Sequence, residues 1–304
     1  ITKVDARQSD VKRDNANIDG NTAMGSMLQI GTAGAKAYNE AYLLTPQQAK
    51  AYREGDIHIH DFDFYSLTTT CTQIDIVNLF DGGFSTGHGF LREPQSIQSY
   101  AALAAIAIQS NQNDQHGGQS IPNFDYGMAL GVAKTFRKAY TNKLTEGLED
   151  FLDTEDEKDN VTKILADVKE ATGMSPRLET DAEKFDAAVS EQITKKYNIP
   201  QEKAAHLVEV ARRRANRKAD RDTYQAMEGF VHNLNTMHSR AGAQTPFSSI
   251  NYGTDTTPEG RMVIRNILLA TDAGLGHGET CIFPIHVFKV KEGVNYNEGD
   301  PNYD

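Results

Sequence analysis

Short stretches with a period of two are spaced along a chain whose remaining apolar residues mostly recur at helical spacing. In residues 56–64 (DIHIHDFDF), Ile57 and Ile59 fall on one pleat face and His58, His60, Phe62 and Phe64 on the other, which predicts a strand. Residues 67–73 (LTTTCTQ) are β-branched and predict a second strand, with Thr69, Cys71 and Gln73 on one face. A glycine-bounded strand is expected within residues 239–253. Residues 282–290 are apolar on both faces, as in a strand covered on both sides, and Pro284, which cannot donate to a ladder, belongs near its start.

Helical signals lie between these strands. Thr45 and Pro46 cap and open a short helix over 47–53 that Gly55 stops. After Pro94, residues 95–110 leave almost no polar face, which predicts a buried helix. From about residue 125 to 235 the pattern is helical and heavily charged, with an acidic run at 149–159 and a basic one formed by Arg212, Arg213, Arg214, Arg217, Lys218 and Arg221. Residues 140–224 read as a peripheral layer, its charges on solvated faces in preference to a phosphate or partner site. Thr257 and Pro258 open a helix over 259–273. Residues 15–34, 81–89 and 111–120 (NQNDQHGGQS) are rich in Gly, Asn or amides and read as loops. The order strand, strand, helices, strand, helix, strand is that of an α/β fold.

Composition narrows the class. With 304 residues, 38% of them hydrophobic, the chain can bury one large core or two smaller ones. No window reaches the ~18 apolar residues of a membrane span, and the first residues lack a signal-peptide pattern. The net charge of −11 argues against general nucleic-acid affinity. Two cysteines 210 positions apart, without a CxxC, give neither a disulfide framework nor a zinc site, so cytoplasm is the default location. The chain starts at Ile1 and ends soon after a strand, as expected of a piece of something longer.

Few groups carry candidate chemistry. Cys281 stands where a loop containing Gly274, Gly276 and Gly278 hands over to a strand; it is either a reactive thiol or a small buried hydrophobe. A barrel could bring Cys71 near it. His58 and His60, about 6.5–7 Å apart on one face of a strand, could flank a small ligand; a metal would need further ligands that the sequence does not offer, so polar lining of a cavity is favoured. The glycine-rich run at 81–89 is as consistent with a plain turn as with a phosphate cradle.

Several motifs, in order, add a resemblance. DIHIHDFDFY, TTTCTQID, GGFSTGHGFLREP, NQNDQHGGQSIPNFDY, QTPFSSINYG and CIFPIHVFKVKEGVNYNEGDPNYD together resemble the catalytic subunit of the anaerobic ribonucleoside-triphosphate reductases, the glycyl-radical (class III) ribonucleotide reductases. The resemblance implies part of a ten-stranded α/β barrel with a peripheral helical layer. Residues 1–45 would be an N-terminal extension and lead-in helix and 46–304 a partial catalytic barrel, with the helical layer at about 125–235.

It further implies that Cys281 becomes the thiyl that removes the ribose 3′-hydrogen, that Cys71 helps reduce the 2′ position, and that Asn302 holds ribose hydroxyls or formate. His58, His60, Ser85 and His88 would contact substrate, and Gln115, His116 and Gln119 an effector nucleotide. Implied partners are a ribonucleoside triphosphate, deoxynucleoside triphosphate or ATP effectors, a radical-SAM activating enzyme and a second copy in a homodimer. Formate is the implied reductant. The family's glycyl-radical motif and zinc-binding cysteine pairs have no counterpart in the chain, so the fragment alone is expected to be inactive. Two other readings are a non-catalytic effector-binding and dimerisation module, and an enzyme of the pyruvate formate-lyase type. The latter would need adjacent cysteines, whereas Cys281 lies between Thr280 and Ile282.

Overall fold

The computed structural model describes residues 14–15, 18–19, 22–65, 68–239 and 244–303. Its helices are α1 (Ala23–Tyr42), α2 (Pro46–Glu54), α3 (Ile76–Phe80), α4 (Ile97–Asp114) and α5 (Phe124–Leu152). These are followed by α6 (Lys158–Thr172), α7 (Ala182–Tyr197), α8 (Gln201–Thr236) and α9 (Pro258–Ala273). Two short antiparallel pairs, β1 (Asp14–Asn15) with β2 (Ile18–Asp19) and β4 (Phe84–Ser85) with β5 (Phe90–Leu91), stand apart from the main sheet. That sheet is parallel and four-stranded, in the order β3 (Thr69–Gln73), β6 (Gln115–Ile121), β7 (Ser248–Tyr252), β8 (Ile285–Phe288). The architecture is α/β, and helices connect consecutive strands of the sheet, as parallel pairing requires.

The helix starts follow local chemistry. Thr45 and Gln48 form a reciprocal capping box ahead of Pro46, and Gly55 closes α2 at φ 82°. Ser96 and Ser99 do the same for α4. Residues 15–34 were expected to be a loop leading into a helix; that helix, α1, begins within them at Ala23, because the side chain of Thr22 caps Gly25 and a run of alanines and other good helix formers follows.

One face of the sheet is packed under helices through Ile121 on β6 and Ile250 and Tyr252 on β7, which join a core of Phe124, Met128, Phe136 and Phe230. Two glycines let α5 approach closely: a Cβ on Gly127 would collide with Ile76, and one on Gly131 would lie 2.9 Å from the Tyr100 ring. Helices α5 and α8 thus carry much of the core, and the expected peripheral layer is peripheral only in its charged surface. Arg212 is not on a solvated face either. Its guanidinium pairs with Asp186, donates to the carbonyls of Arg177 and Leu178, and lies over the rings of Phe136 and Tyr140.

The other face is uncovered at β8. Residues 282–290 were expected to be covered on both sides, but β8 is an edge strand: Ile285 and Val287 are exposed on this face, and Phe288, on the face of His286, is exposed as well. His286 points the other way, between the Tyr252 hydroxyl and the Thr271 hydroxyl, each 3.1 Å away, and burial pushes its pKa below the usual histidine value.

A buried carboxylate joins the layers. Asp125, in the first turn of α5, accepts the backbone N–H groups of Gly253 (2.9 Å), Thr254 (3.1 Å) and Asp255 (3.0 Å) on Oδ2, just beyond the end of β7. Its other oxygen accepts the N–H of Tyr126. Replacing Asp125 with alanine strands two buried donors and a partly buried third, so unfolding free energy should fall by roughly 3–5 kcal/mol in a denaturant titration. A loss below about 1 kcal/mol would remove Asp125 from this role.

Candidate active site

The histidine segment folds differently from the expected strand. Residues 56–61 form turns, Phe62–Phe64 is a single 3₁₀ turn, and Asp61 adopts φ 48°, ψ 43°. Phe62 is buried and stacks near Tyr52, whereas Phe64 is exposed, so the expected shared face does not exist. His58 and His60 nevertheless stay together, their ring centroids 5.7 Å apart. The left-handed backbone at Asp61 sets its carboxylate between two imidazoles: Oδ2 is 3.6 Å from His60 Nε2 and 3.9 Å from His116 Nε2.

His116 was expected in a polar loop over 111–120. Instead α4 runs on to Asp114 and Gln115 starts β6, an inner strand paired with both β3 and β7. Several polar side chains of this stretch bond to neighbouring elements without a loop. Asn111 donates to Thr72 (2.6 Å) and to Gln119 (2.7 Å), and Ser120 donates to Asn251 (3.0 Å). His116 Nδ1 lies 2.7 Å from the Thr68 hydroxyl, and its ring stacks on Phe64, centroids 5.2 Å apart and 3° from parallel. The three expected effector contacts Gln115, His116 and Gln119 therefore sit in the sheet beside Cys71.

Cys71 interrupts its strand. It has φ 43°, the pairing with β6 shifts register between Thr70 and Thr72, and the expected alternation of Thr69, Cys71 and Gln73 fails there. Leu67, the start of the expected strand, lies outside the described residues. The thiol is exposed, and the Thr70 hydroxyl donates to Sγ at 3.6 Å. Across from it, Gly117 has φ 85°; a Cβ there would stand 3.1 Å from the sulfur.

Cys281 is not on a strand and is not next to Cys71. It lies four residues before β8, and β3 and β8 are the two outer strands of the sheet, three spacings or about 14 Å apart if the sheet were flat. The two cysteines are not on neighbouring strands, because β6 and β7 both insert between β3 and β8. The register does bring the two thiols to similar heights: Thr72 pairs with Gln119, Gln119 with Ser248, and Ser249 with Ile285. Aromatic contacts bridge the gap, since Phe247 lies over Gly118, next to Gly117, and its ring is 5.1 Å from that of Phe283.

The loop carrying Cys281 is held by a residue that the sequence did not single out. Asn235, near the end of α8, accepts the N–H groups of Ile282 (2.9 Å) and Phe283 (3.1 Å) and donates to the Phe283 carbonyl (2.6 Å). Upstream, Gly274 and Gly278 have positive φ and the loop closes through Leu275 N–H to the Glu279 carbonyl at 2.9 Å. Cys281 is half-buried against the core, and burial raises the pKa of its thiol.

The remaining expected residues lie elsewhere. Ser85 lines a cavity of about 560 Å³ with Gln73, Asn111 and Asp114, and the walls of this cavity do not include His88. Asn302 is at the far end of the sheet. Its amide donates to the carbonyls of Gly253 (3.2 Å) and Asp255 (2.9 Å) and accepts from Arg261 (2.8 Å), beside a second cavity of about 680 Å³. Neither cavity is walled by a cysteine. Among the described residues no group of three or more His, Cys, Asp or Glu side chains is arranged to hold a metal ion.

A parallel α/β sheet with two free thiols and an imidazole cluster at the starts of its strands defines a cysteine-bearing α/β protein. Its family is given by comparison: the family model "Anaerobic ribonucleoside-triphosphate reductase" matches residues 14–304, and the chain belongs to that family. The protein of that name from Escherichia coli (strain K12) is 26% identical over 304 residues, covering 99% of this chain and 34% of the relative. Its namesake in Enterobacteria phage T4 is 29% identical over 258 residues, covering 84% of this chain and 33% of the relative. The one from Haemophilus influenzae is 26% identical over 302 residues, covering 98% and 34%. The chain spans about a third of the length of these relatives.

Gly117→Ala should displace the Cys71 sulfur, since φ 85° disfavours any side chain and the new methyl meets the thiol. The strain is of order 1–3 kcal/mol. Alkylation of Cys71, followed by peptide mass spectrometry, should slow several-fold with Cys281 labelling unchanged. Equal rates in both proteins would show that Gly117 does not shape the thiol's surroundings.

Proposed function

We propose that this chain is the cysteine-bearing part of an anaerobic enzyme that reduces ribonucleoside triphosphates to deoxyribonucleotides by thiyl-radical chemistry. The observation that carries the reading is the setting of Cys281: half-buried against the core, on a closed loop held by Asn235, with burial raising the pKa of its thiol. A hydrogen atom can be exchanged only from an S–H bond, so a raised thiol pKa suits this chemistry where it would hinder a nucleophilic cysteine. A glycyl radical on a separate segment supplies the hydrogen-atom acceptor that turns this thiol into a thiyl. Cys281 then takes the ribose 3′-hydrogen and later returns it. Cys71, exposed on the outer strand β3, serves the 2′ carbon, with formate as final reductant and His58, His60 and Ser85 as ribose or phosphate contacts.

The uncovered side of β8 supports the same reading, because exposed Ile285, Val287 and Phe288 suit an edge that further strands of a ten-stranded barrel cover. Closure would shorten the path between the outer strands and let one ribose reach both thiols. Zinc belongs with the family's C-terminal region, and activation with a radical-SAM enzyme. A cytoplasmic site agrees with the absence, among the described residues, of any helix long and apolar enough to cross a membrane.

A second role is compatible with the first. A shallow groove of about 260 Å³ between α4 and α8, lined by Gln98, Gln225, Asn233 and alanines, suits packing against a helix of a second copy in a homodimer.

The test uses the full-length protein with 3′-tritiated ribonucleotide. Cys281→Ser should abolish both label release and deoxynucleotide formation, because an alcohol O–H bond is too strong to yield its hydrogen atom. Cys71→Ser should block product while label release persists. Label release by the Cys281→Ser protein would refute the assignment.

A further inference from the structure

We infer that His116 is the acid–base group for loss of the 2′-hydroxyl, with Asp61 and Thr68 as its positioning residues. The inference rests on the radical-reductase reading. It starts from geometry that neither the family match nor the cysteines require. The imidazole is held on three sides: Thr68 Oγ1 at 2.7 Å from Nδ1, Phe64 stacked on the ring plane, and the Asp61 carboxylate 3.9 Å from Nε2.

The two ring nitrogens are held differently. Nδ1 is committed to Thr68. Nε2 lies 3.9 Å from Asp61 Oδ2, beyond hydrogen-bond length, so the carboxylate stands beside this nitrogen without a hydrogen bond to it. Asp61 reaches this position through a left-handed backbone, φ 48°. The strand pairing sets His116 opposite Thr70, and its neighbour Gly117 abuts Cys71. Asp61, Cys71 and Gly117 thus all have positive φ within one small region, where backbone strain commonly accompanies function.

The step balances within the site. After the 3′-hydrogen is removed, imidazolium His116 gives its proton to the 2′ oxygen. The C2′–O bond breaks with its electron pair, and water leaves. The 3′-hydroxyl gives its proton back to the neutral imidazole, the 3′ carbon becomes a ketone and the unpaired electron moves to C2′. One proton goes out and one returns, so no oxidant or reductant is needed at this stage. Asp61 faces the imidazole from the turn at 3.9 Å, and its carboxylate also lies 3.6 Å from His60 Nε2.

The experiment measures 3′-tritium release and deoxynucleotide formation side by side, across pH, in the activated full-length protein and in His116→Gln and Asp61→Asn. His116→Gln should keep label release and lose product formation by roughly 10²–10⁴-fold, the span of general acid–base catalysis, with partial rescue by added imidazole. Asp61→Asn should keep label release and lower product formation several-fold, because the side chain placed 3.9 Å from Nε2 no longer positions the ring. The inference is overturned if His116→Gln makes product with the wild-type pH profile. It is equally overturned if that variant loses label release and product together and imidazole restores neither; should it fail to fold, undiminished product formation in Asp61→Asn overturns it. A wild-type protein that releases no label and makes no deoxynucleotide would sink the reductase reading itself, a result distinct from any of these.

Discussion

A carboxylate sealed from water must find donors for its oxygens, and Asp125 finds three in succession from the chain just past β7. That constraint fixes where β7 stops relative to the start of α5. It also positions the entry into α9: Asp255 accepts from Thr257 N–H at 2.8 Å, the side chain of Thr257 caps α9, and Arg261 on α9 grips Asn302. Burial raises the pKa of Asp255, and the nearby Asp125 and Glu259 add to that, so this junction concentrates acidic groups which backbone donors offset. The carboxyl ends of the strands are consequently tied down by hydrogen bonds, beside the cavity lined by Arg261 and Asn302.

The opposite ends are organised differently. Open α/β sheets usually bind ligands beyond the carboxyl ends of their strands. Here the thiols and imidazoles gather at or before the strand starts, on a loop before β8, a register break in β3, and a turn before it. The scaffold holds one end and presents chemistry at the other, which is the division expected when loops carry function on a rigid sheet. Asn302 lies on the tied end, so in this arrangement it acts as a clamp on the turn after β7.

Much of the helical framework was legible from sequence, because caps act over three or four residues. Thr45 with Gln48, and Thr257 with Pro258, announce their helices without tertiary help. The strands were less legible. The alternation in residues 56–64 has strand period, but Asp61 turns left-handed and breaks it, since aspartate tolerates that region and the carboxylate is drawn toward two imidazoles. Residues 115–120 look like a loop because they are polar and contain two glycines. They form an inner strand because Gly117 must be bare where it meets Cys71 and Gln119 finds its partner in Asn111. Asn235 carries no motif, and only the fold brings it to the loop of Cys281.

On the proposed reading substrate lies at the strand starts, over Gly117 and Phe247, with Cys71 on one side and Cys281 on the other. A crystal structure of the full-length protein with a ribonucleoside triphosphate decides this placement. Ribose density is expected there, with the 3′ carbon in van der Waals contact with the Cys281 sulfur and the 2′ oxygen facing Cys71 and His116. Ribose density at the other end of the sheet, in the cavity beside Arg261 and Asn302, would contradict it.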